Sequence, residues 1–275
     1  MERWIGKVAL VTGASAGIGA ATVEILVKEG LTVVGVARRV EKVQEIGEKV
    51  EGAKGKLYAR KCDVSKEEEI LETFAWIKEN LGGVDVLVNN AGILNSIFVQ
   101  FSGGSTDGFR HMLEVNVLGV AVATREAVQS MKERNFDGHI ININSILGHY
   151  INVPADFYNI YPASKYAVTA MTETVRKELI LAKSKIKITV NSISPGLVST
   201  ELFASAQDRL GREWDTSGIE SQPILNSEDV ANAIVYVLGT PPHVQVRKSY
   251  GVFANRRYRP LFLFLQFMSS KFIII

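Results

Sequence analysis

Lys7-Val8-Ala9-Leu10-Val11-Thr12-Gly13-Ala14-Ser15-Ala16-Gly17-Ile18-Gly19 is a short apolar run that breaks directly into a glycine-rich turn. Such a run suits a strand buried on both faces of a parallel sheet. Glycines at 13, 17 and 19 let the backbone turn sharply and approach a pyrophosphate, whose charge is met by the N-terminus of the next helix. On its own a glycine-rich turn is often only a turn, so the rest of the chain decides.

Outward from this stretch, strands and helices alternate. Apolar or β-branched runs at 31–37, 57–62, 84–89, 139–144 and 187–192 read as strands. Helical patterns cover 18–28, 40–50 and 66–81, then a long helix from about 107 to 134 and another from about 158 to 183. Alternation without repeats or linker predicts an α/β fold, a Rossmann-type doubly wound parallel sheet in a single domain over 1–246. In such a sheet ligands sit at the carboxyl ends of the strands.

At 275 residues, 47% hydrophobic and 22% charged, the chain is long enough for one substantial core. A single cysteine, Cys62, excludes an intramolecular disulfide and suits a reducing, cytoplasmic setting. Met1-Glu2-Arg3-Trp4 runs within a few residues into the first strand, so no signal peptide is expected. Residues 247–275 carry six positive charges and no acid, so against a net charge of +2 the first 246 residues stand at −4. A mildly acidic body is no nucleic-acid footprint.

Tyr161-Pro162-Ala163-Ser164-Lys165 places a phenol and an ammonium one helical turn apart on one face. Free tyrosine, with a pKa of roughly 10, is a poor base near neutrality. A neighbouring lysine cation favours the phenolate and lowers that value. Tyr158 lacks such a partner, because position 162 is proline. Ser145 ends the 139–144 strand, where a hydroxyl can donate to a substrate oxygen or simply cap a turn. His139 and His149 belong to no cluster with metal-ligand spacing, and no metal is expected. The second strand ends Gly35-Val36-Ala37-Arg38-Arg39, with Ala37 where an acid would hold a ribose 2′-hydroxyl. Arg38, with Arg39 beside it, can instead grip a 2′-phosphate, which favours NADP(H) over NAD; a solvated helix start is the plainer alternative.

In order, Thr12-Gly13-Ala14-Ser15-Ala16-Gly17-Ile18-Gly19, Asn89-Asn90-Ala91-Gly92, Ser145 and Tyr161…Lys165 resemble the short-chain dehydrogenase/reductase family across about residues 6–245. The resemblance implies hydride transfer between NADP(H) and an alcohol or carbonyl. It implies Ser145, Tyr161, Lys165 and Asn116 as the catalytic group, Asn116 kinking its helix and holding a water that relays protons through the lysine. A cofactor would lie against Gly13, Ser15, Gly17, Ile18, Gly19, Arg38, Arg39, Asp63, Val64, Asn90, Ala91, Gly92, Tyr161, Lys165, Pro195, Gly196, Val198 and Thr200. Asp63 would meet the adenine amino group, though a helix N-cap is its alternative role. The 16 residues from Ser145 to Tyr161 exceed the family spacing, so 148–159 is expected to bulge beside the pocket. Family members associate through their two long helices, which implies a homodimer or homotetramer. The rival from another class is a non-catalytic NADP-binding module, disfavoured because all four catalytic positions are filled.

Met1-Glu2-Arg3-Trp4, the stretch 126–135 and the stretch 137–145 are similar to animal member-11-type short-chain dehydrogenases and their insect relatives, the NADP-dependent farnesol dehydrogenases. That implies an apolar alcohol or carbonyl as substrate, farnesol foremost in the juvenile hormone pathway, with steroid or general carbonyl reduction as the alternative. Apolar Ile93-Leu94-Asn95-Ser96-Ile97-Phe98-Val99 and Leu197, Val198, Leu202 and Phe203 fit such a pocket, unless they only pack on one another. Residues 247–275 depart from the family as a basic stretch and then apolar runs far short of the roughly 20 residues that span a bilayer. Surface contact with an anionic membrane is conceivable for it; an extension replacing the native end is favoured.

Overall fold

The computed structural model describes residues 1–94, 105–151, 160–182, 188–202, 224–244, 246 and 248–251. Seven strands form one parallel sheet: β1 (Val8–Thr12), β2 (Thr32–Ala37), β3 (Lys56–Lys61), β4 (Val86–Asn89), β5 (His139–Ile143), β6 (Thr189–Pro195) and β7 (Lys248–Gly251). Their order is β3-β2-β1-β4-β5-β6-β7. The order reverses between β1 and β4, so the loops after these two strands part there and leave a crevice.

Helices cover both faces. The helices α1 (Gly17–Lys28), α2 (Val40–Lys49) and α7 (Ser227–Gly239) pack on one, with Val23, Leu26, Ile46 and Ile234 against Ala9, Val11 and Ile141. On the other, α3 (Glu67–Leu81), α5 (Gly119–Glu133) and α6 (Ile160–Leu181) bring Phe74, Ile77 and Val122 against Val8, Leu10 and Ile140. Neighbouring strand residues alternate between the two cores, as the pleat requires. That is why β1 and β4 are apolar up to their last residue, and why every β1 residue is buried.

Two elements refine expectation. The helix over 107–134, expected to kink at Asn116, is divided there: α4 (Thr106–Leu113), a π turn (Glu114–Leu118), then α5. Asn116, inside the π turn, binds the backbone of Ile93; bonds drawn from a side chain to a neighbouring loop hold the extra residue in place. The sheet also continues past residue 246: β7 pairs with β6, Ile193 opposite Ser249, and lies within the stretch assigned to a tail. An edge strand pairs through its backbone on one side only, so it need not read as an apolar run. Tyr158, Phe203, 95–99 and 152–159 lie outside the described residues, as does the remainder of the tail beyond Gly251.

The amino ends of the strands are tied down by polar contacts. Asp85, buried, accepts from the Val8 amide at 2.8 Å and pairs with Arg134 at 2.6 Å. Trp4 donates to the Leu238 carbonyl at 2.8 Å and meets His139 edge-on. His139 in turn bonds Asn191 of β6, and burial pushes the imidazole pKa down to about 4. All of this lies at the far end of the strands from the crevice.

Candidate active site

The glycine turn follows β1 as expected, and its glycines are required by space. Gly13 has φ +67°, and a Cβ there would come 2.8 Å from the Ala91 Cα; one on Gly17 (φ +54°) would come 2.9 Å from the Thr200 methyl. A Cβ on Gly19 would collide with the Gly13 carbonyl. Asn90 holds the turn from the β4 side, donating to the carbonyls of Thr12 at 2.9 Å and Gly13 at 3.1 Å. The Thr12 hydroxyl accepts from the amides of Asn90 and Ala91, both at 3.0 Å. α1 begins beside this turn with no side-chain cap and no acid in its first turn. Its leading N–H groups and positive dipole end therefore face the crevice available to an anion. Tight glycines and an uncapped helix start fit the pyrophosphate of a dinucleotide.

The rest of the expected cofactor wall gathers around this turn. Ile18 packs into the core under α1. Thr200 lies over Gly17. Pro195 ends β6, Gly196 and Leu197 follow, and Val198 is buried, bridging to Leu225. At the end of β3 the Asp63 carboxylate accepts from the Ser65 amide at 3.0 Å and hydroxyl at 2.7 Å. Burial works to raise its pKa, but the Ser65 hydrogen bonds and the Arg38 and Lys66 cations outweigh it, and Asp63 ends below the usual carboxylate range. Val64 packs on the second core, and its carbonyl leaves room for Gly119 alone.

The two arginines after β2 diverge. Arg38 is felt by Asp63, whereas Arg39 reaches the glycine turn, 3.5 Å from the Ser15 hydroxyl, and pairs at 2.7 Å with Glu201. Glu201 formed no part of the sequence reading; it joins Arg39 from 162 positions away, and no local pattern marks it.

Tyr161 and Lys165 occupy the first turns of α6, both buried. The Lys165 ammonium stands 5.7 Å from the Tyr161 ring centroid and donates to the Ile143 carbonyl at 3.0 Å. Burial lowers its pKa to about 8, so near neutrality it remains mostly a cation. Asn116 accepts from the Ile93 amide at 2.9 Å and donates toward the Ile93 carbonyl at 3.0 Å and the Ser164 hydroxyl at 3.1 Å. Ser164 donates to the Tyr161 carbonyl at 2.7 Å, which links the π turn to the tyrosine's own helix. A Cβ on Gly92 would lie 3.5 Å from the Asn116 Oδ1 and 3.8 Å from the Lys165 Nζ, so glycine leaves the space beside both groups open.

Ser145 does cap a turn: its oxygen accepts from the Leu147 amide at 3.1 Å at the start of a 3-10 turn, Ile146–Gly148. That bond uses a lone pair, so the hydroxyl hydrogen stays available to a substrate oxygen. Thr169 fixes the turn against α6, donating to the Gly148 carbonyl at 2.8 Å. His149, beyond it, bonds the Ser194 hydroxyl at 2.9 Å. Behind the site, Asn89 donates to Thr124 at 3.0 Å and Asn142 at 2.9 Å, and Asn142 to Thr172 at 2.9 Å, joining β4 and β5 to α5 and α6. Around Tyr161 itself the wall is apolar: Leu94, Met112 and Leu147 are buried with it, and Ile93, Ile146, Ile160 and Leu202 pack on them.

A sequence profile described as short chain dehydrogenase matches residues 7–211. A farnesol dehydrogenase of Aedes aegypti is 50% identical over 252 residues, covering 90% of this chain and 96% of its own. A dehydrogenase/reductase SDR family member 11 of Gallus gallus is 51% identical, over 90% and 95%. Among solved structures, a serine dehydrogenase in its closed form with NADP+ superimposes with a TM-score of 0.76 at 28% identity, covering 91% of this chain and 98% of its own. With sheet order, glycine turn and tyrosine–lysine pair in agreement, the chain belongs to the short-chain dehydrogenase family, oxidoreductases that bind a nicotinamide cofactor and act on alcohol and carbonyl groups.

Proposed function

We propose that the protein is an NADP-dependent dehydrogenase that oxidises an apolar primary alcohol, farnesol or a close isoprenoid, to the aldehyde. One observation carries the reading: Tyr161 stands in an apolar wall within reach of a buried lysine cation. The Lys165 charge favours the Tyr161 phenolate, which takes the hydroxyl proton of the alcohol. Ser145 donates to the same oxygen and steadies the charge that develops on it. A nicotinamide dinucleotide held at the Gly13–Gly19 turn would supply the hydride acceptor, so that the alcohol, losing one hydride to it and one proton to Tyr161, would become the carbonyl. Asn116 holds the loop at Ile93 and the helix at Ser164 in register with Tyr161. Leu94, Met112, Leu147 and Leu202 exclude water and offer nothing polar to a substrate chain.

The NADP reading rests on Arg39 beside Ser15, with Arg38 next to it and Ala37 at the usual acid position. The relative of Aedes aegypti is named for farnesol, which supports the substrate. The Gallus gallus relative, named a dehydrogenase/reductase, is equally similar, and reduction of another apolar carbonyl is the second reading. We infer further that copies associate through the π turn with α5 and through α6, where Leu118 and Tyr166, Ile180 and Leu181 respectively are exposed. A cytoplasmic setting suits the buried free thiol of Cys62, pushed up to about 11 by burial and inert. No helix among the described residues is long and apolar enough to cross a membrane.

The test is reduction of NADP by the purified protein with farnesol, beside Tyr161→Phe and Arg39→Asp. We expect turnover with farnesol, a loss of about 10²- to 10⁴-fold in Tyr161→Phe, and a shift toward NAD in Arg39→Asp. Turnover only with steroid or dicarbonyl substrates and NADPH would select the second reading. Silence with every substrate while NADP still binds would leave a non-catalytic binding module.

A further inference from the structure

The ion pair between Arg39 and Glu201 joins two segments that the sequence keeps far apart. Arg39 follows β2 and reaches over the glycine turn to Ser15; Glu201 directly follows Thr200, which lies over Gly17. The guanidinium placed to hold a 2′-phosphate is thus already engaged by a carboxylate, at 2.7 Å. Both side chains are half exposed, 50% and 61%, so either can be exchanged without unpacking the core.

We propose that Glu201 competes with the 2′-phosphate of the cofactor for Arg39, and so sets how strongly the protein prefers the phosphorylated dinucleotide. The proposal rests on the NADP reading above. A phosphate monoester carries about −1.5 to −2 charges near neutrality against −1 for the carboxylate, so it wins the guanidinium but must displace Glu201 to do so. A dinucleotide with a free 2′-hydroxyl leaves the pair intact and is not penalised. The carboxylate therefore selectively weakens the grip on NADP.

The segment that carries Glu201 also reaches the reacting end of the site. Leu202, next along the chain, packs on the apolar cluster that surrounds Tyr161. The segment Thr200-Glu201-Leu202 is held at one side over the glycine turn and at the other against the substrate wall.

Calorimetric titration of the full-length protein with 2′,5′-ADP and with 5′-AMP isolates the phosphate from the nicotinamide and from turnover. Glu201→Gln keeps the side-chain shape and removes the charge. We expect 2′,5′-ADP to bind about two- to fivefold tighter to Glu201→Gln, the range of an exposed ion pair, with 5′-AMP unchanged. In an Arg39→Ala background the same substitution should no longer tighten 2′,5′-ADP. Equal change for both nucleotides, or none for either, would overturn the role of Glu201. So would weaker 5′-AMP binding, which would make Glu201 a partner of the 2′-hydroxyl. Failure of the wild type to favour 2′,5′-ADP over 5′-AMP would instead defeat the NADP reading itself, and the inference with it.

Discussion

Lys165 is asked to remain a cation in a place that disfavours one, and this gives it opposite effects on stability and on chemistry. Its pKa lies near 8 in the folded chain against 10.5 ordinarily, lowered by burial. Below about pH 8 both folded and unfolded chains hold the proton, and the fold bears the cost of a buried charge. Between 8 and 10.5 the folded chain releases its proton first, so this contribution makes stability rise with pH, by about 3 kcal/mol in all. Catalysis loses the cation over the same interval. Denaturant unfolding of wild type and Lys165→Met across pH 7 to 11 checks this: the wild type should gain on the variant as pH rises, while alcohol oxidation by the free enzyme declines. Parallel curves would remove the burial argument. The pairing of Tyr161 with Lys165 was legible in the sequence because four residues make one helical turn. The pairing of Arg39 with Glu201 was not, because two exposed charges 162 residues apart leave no periodicity behind.

At the scale of elements, hydrophobic period placed the strands and helices well where cores on both sides impose it. It misplaced what a core does not impose. The π turn at Glu114–Leu118 adds a residue to one turn, and the apolar stripe of 107–134 hardly registers the change. Its cause is the Asn116 side chain, bound to both the amide and the carbonyl of Ile93. Asn116→Ala should leave these groups unpaired at a cost of about 1–3 kcal/mol. By loosening the tyrosine's surroundings it should also lower turnover by up to about 10²-fold, with cofactor affinity largely kept. Melting temperature and steady-state kinetics together check it; full turnover in the variant would make the π turn a packing feature only. β7 escaped notice for a related reason: Lys248-Ser249-Tyr250-Gly251 has no alternation that marks an edge strand, and only its partner β6 gives it a place.

For the whole molecule, exposed apolar side chains in and beside the π turn and on α6 call for a covering. Leu118, in the π turn, and Tyr166, one residue after Lys165 on α6, are among them. Replacing both with glutamate should lower the mass found by sedimentation, while leaving the fold intact by circular dichroism; an unchanged mass would put the contact elsewhere. The sheet also divides the molecule lengthwise. Trp4, His139, Asp85 and Arg134 bind the amino ends of the strands, and Ser145, Tyr161, Lys165 and the glycine turn stand at or beyond the carboxyl ends. Contacts that hold the protein together and groups that define its chemistry thus seldom share a residue. Descendants of this chain are free to change substrate at one end with the other unaltered, and a breeder of hardier variants has a territory in which mutations carry no catalytic penalty.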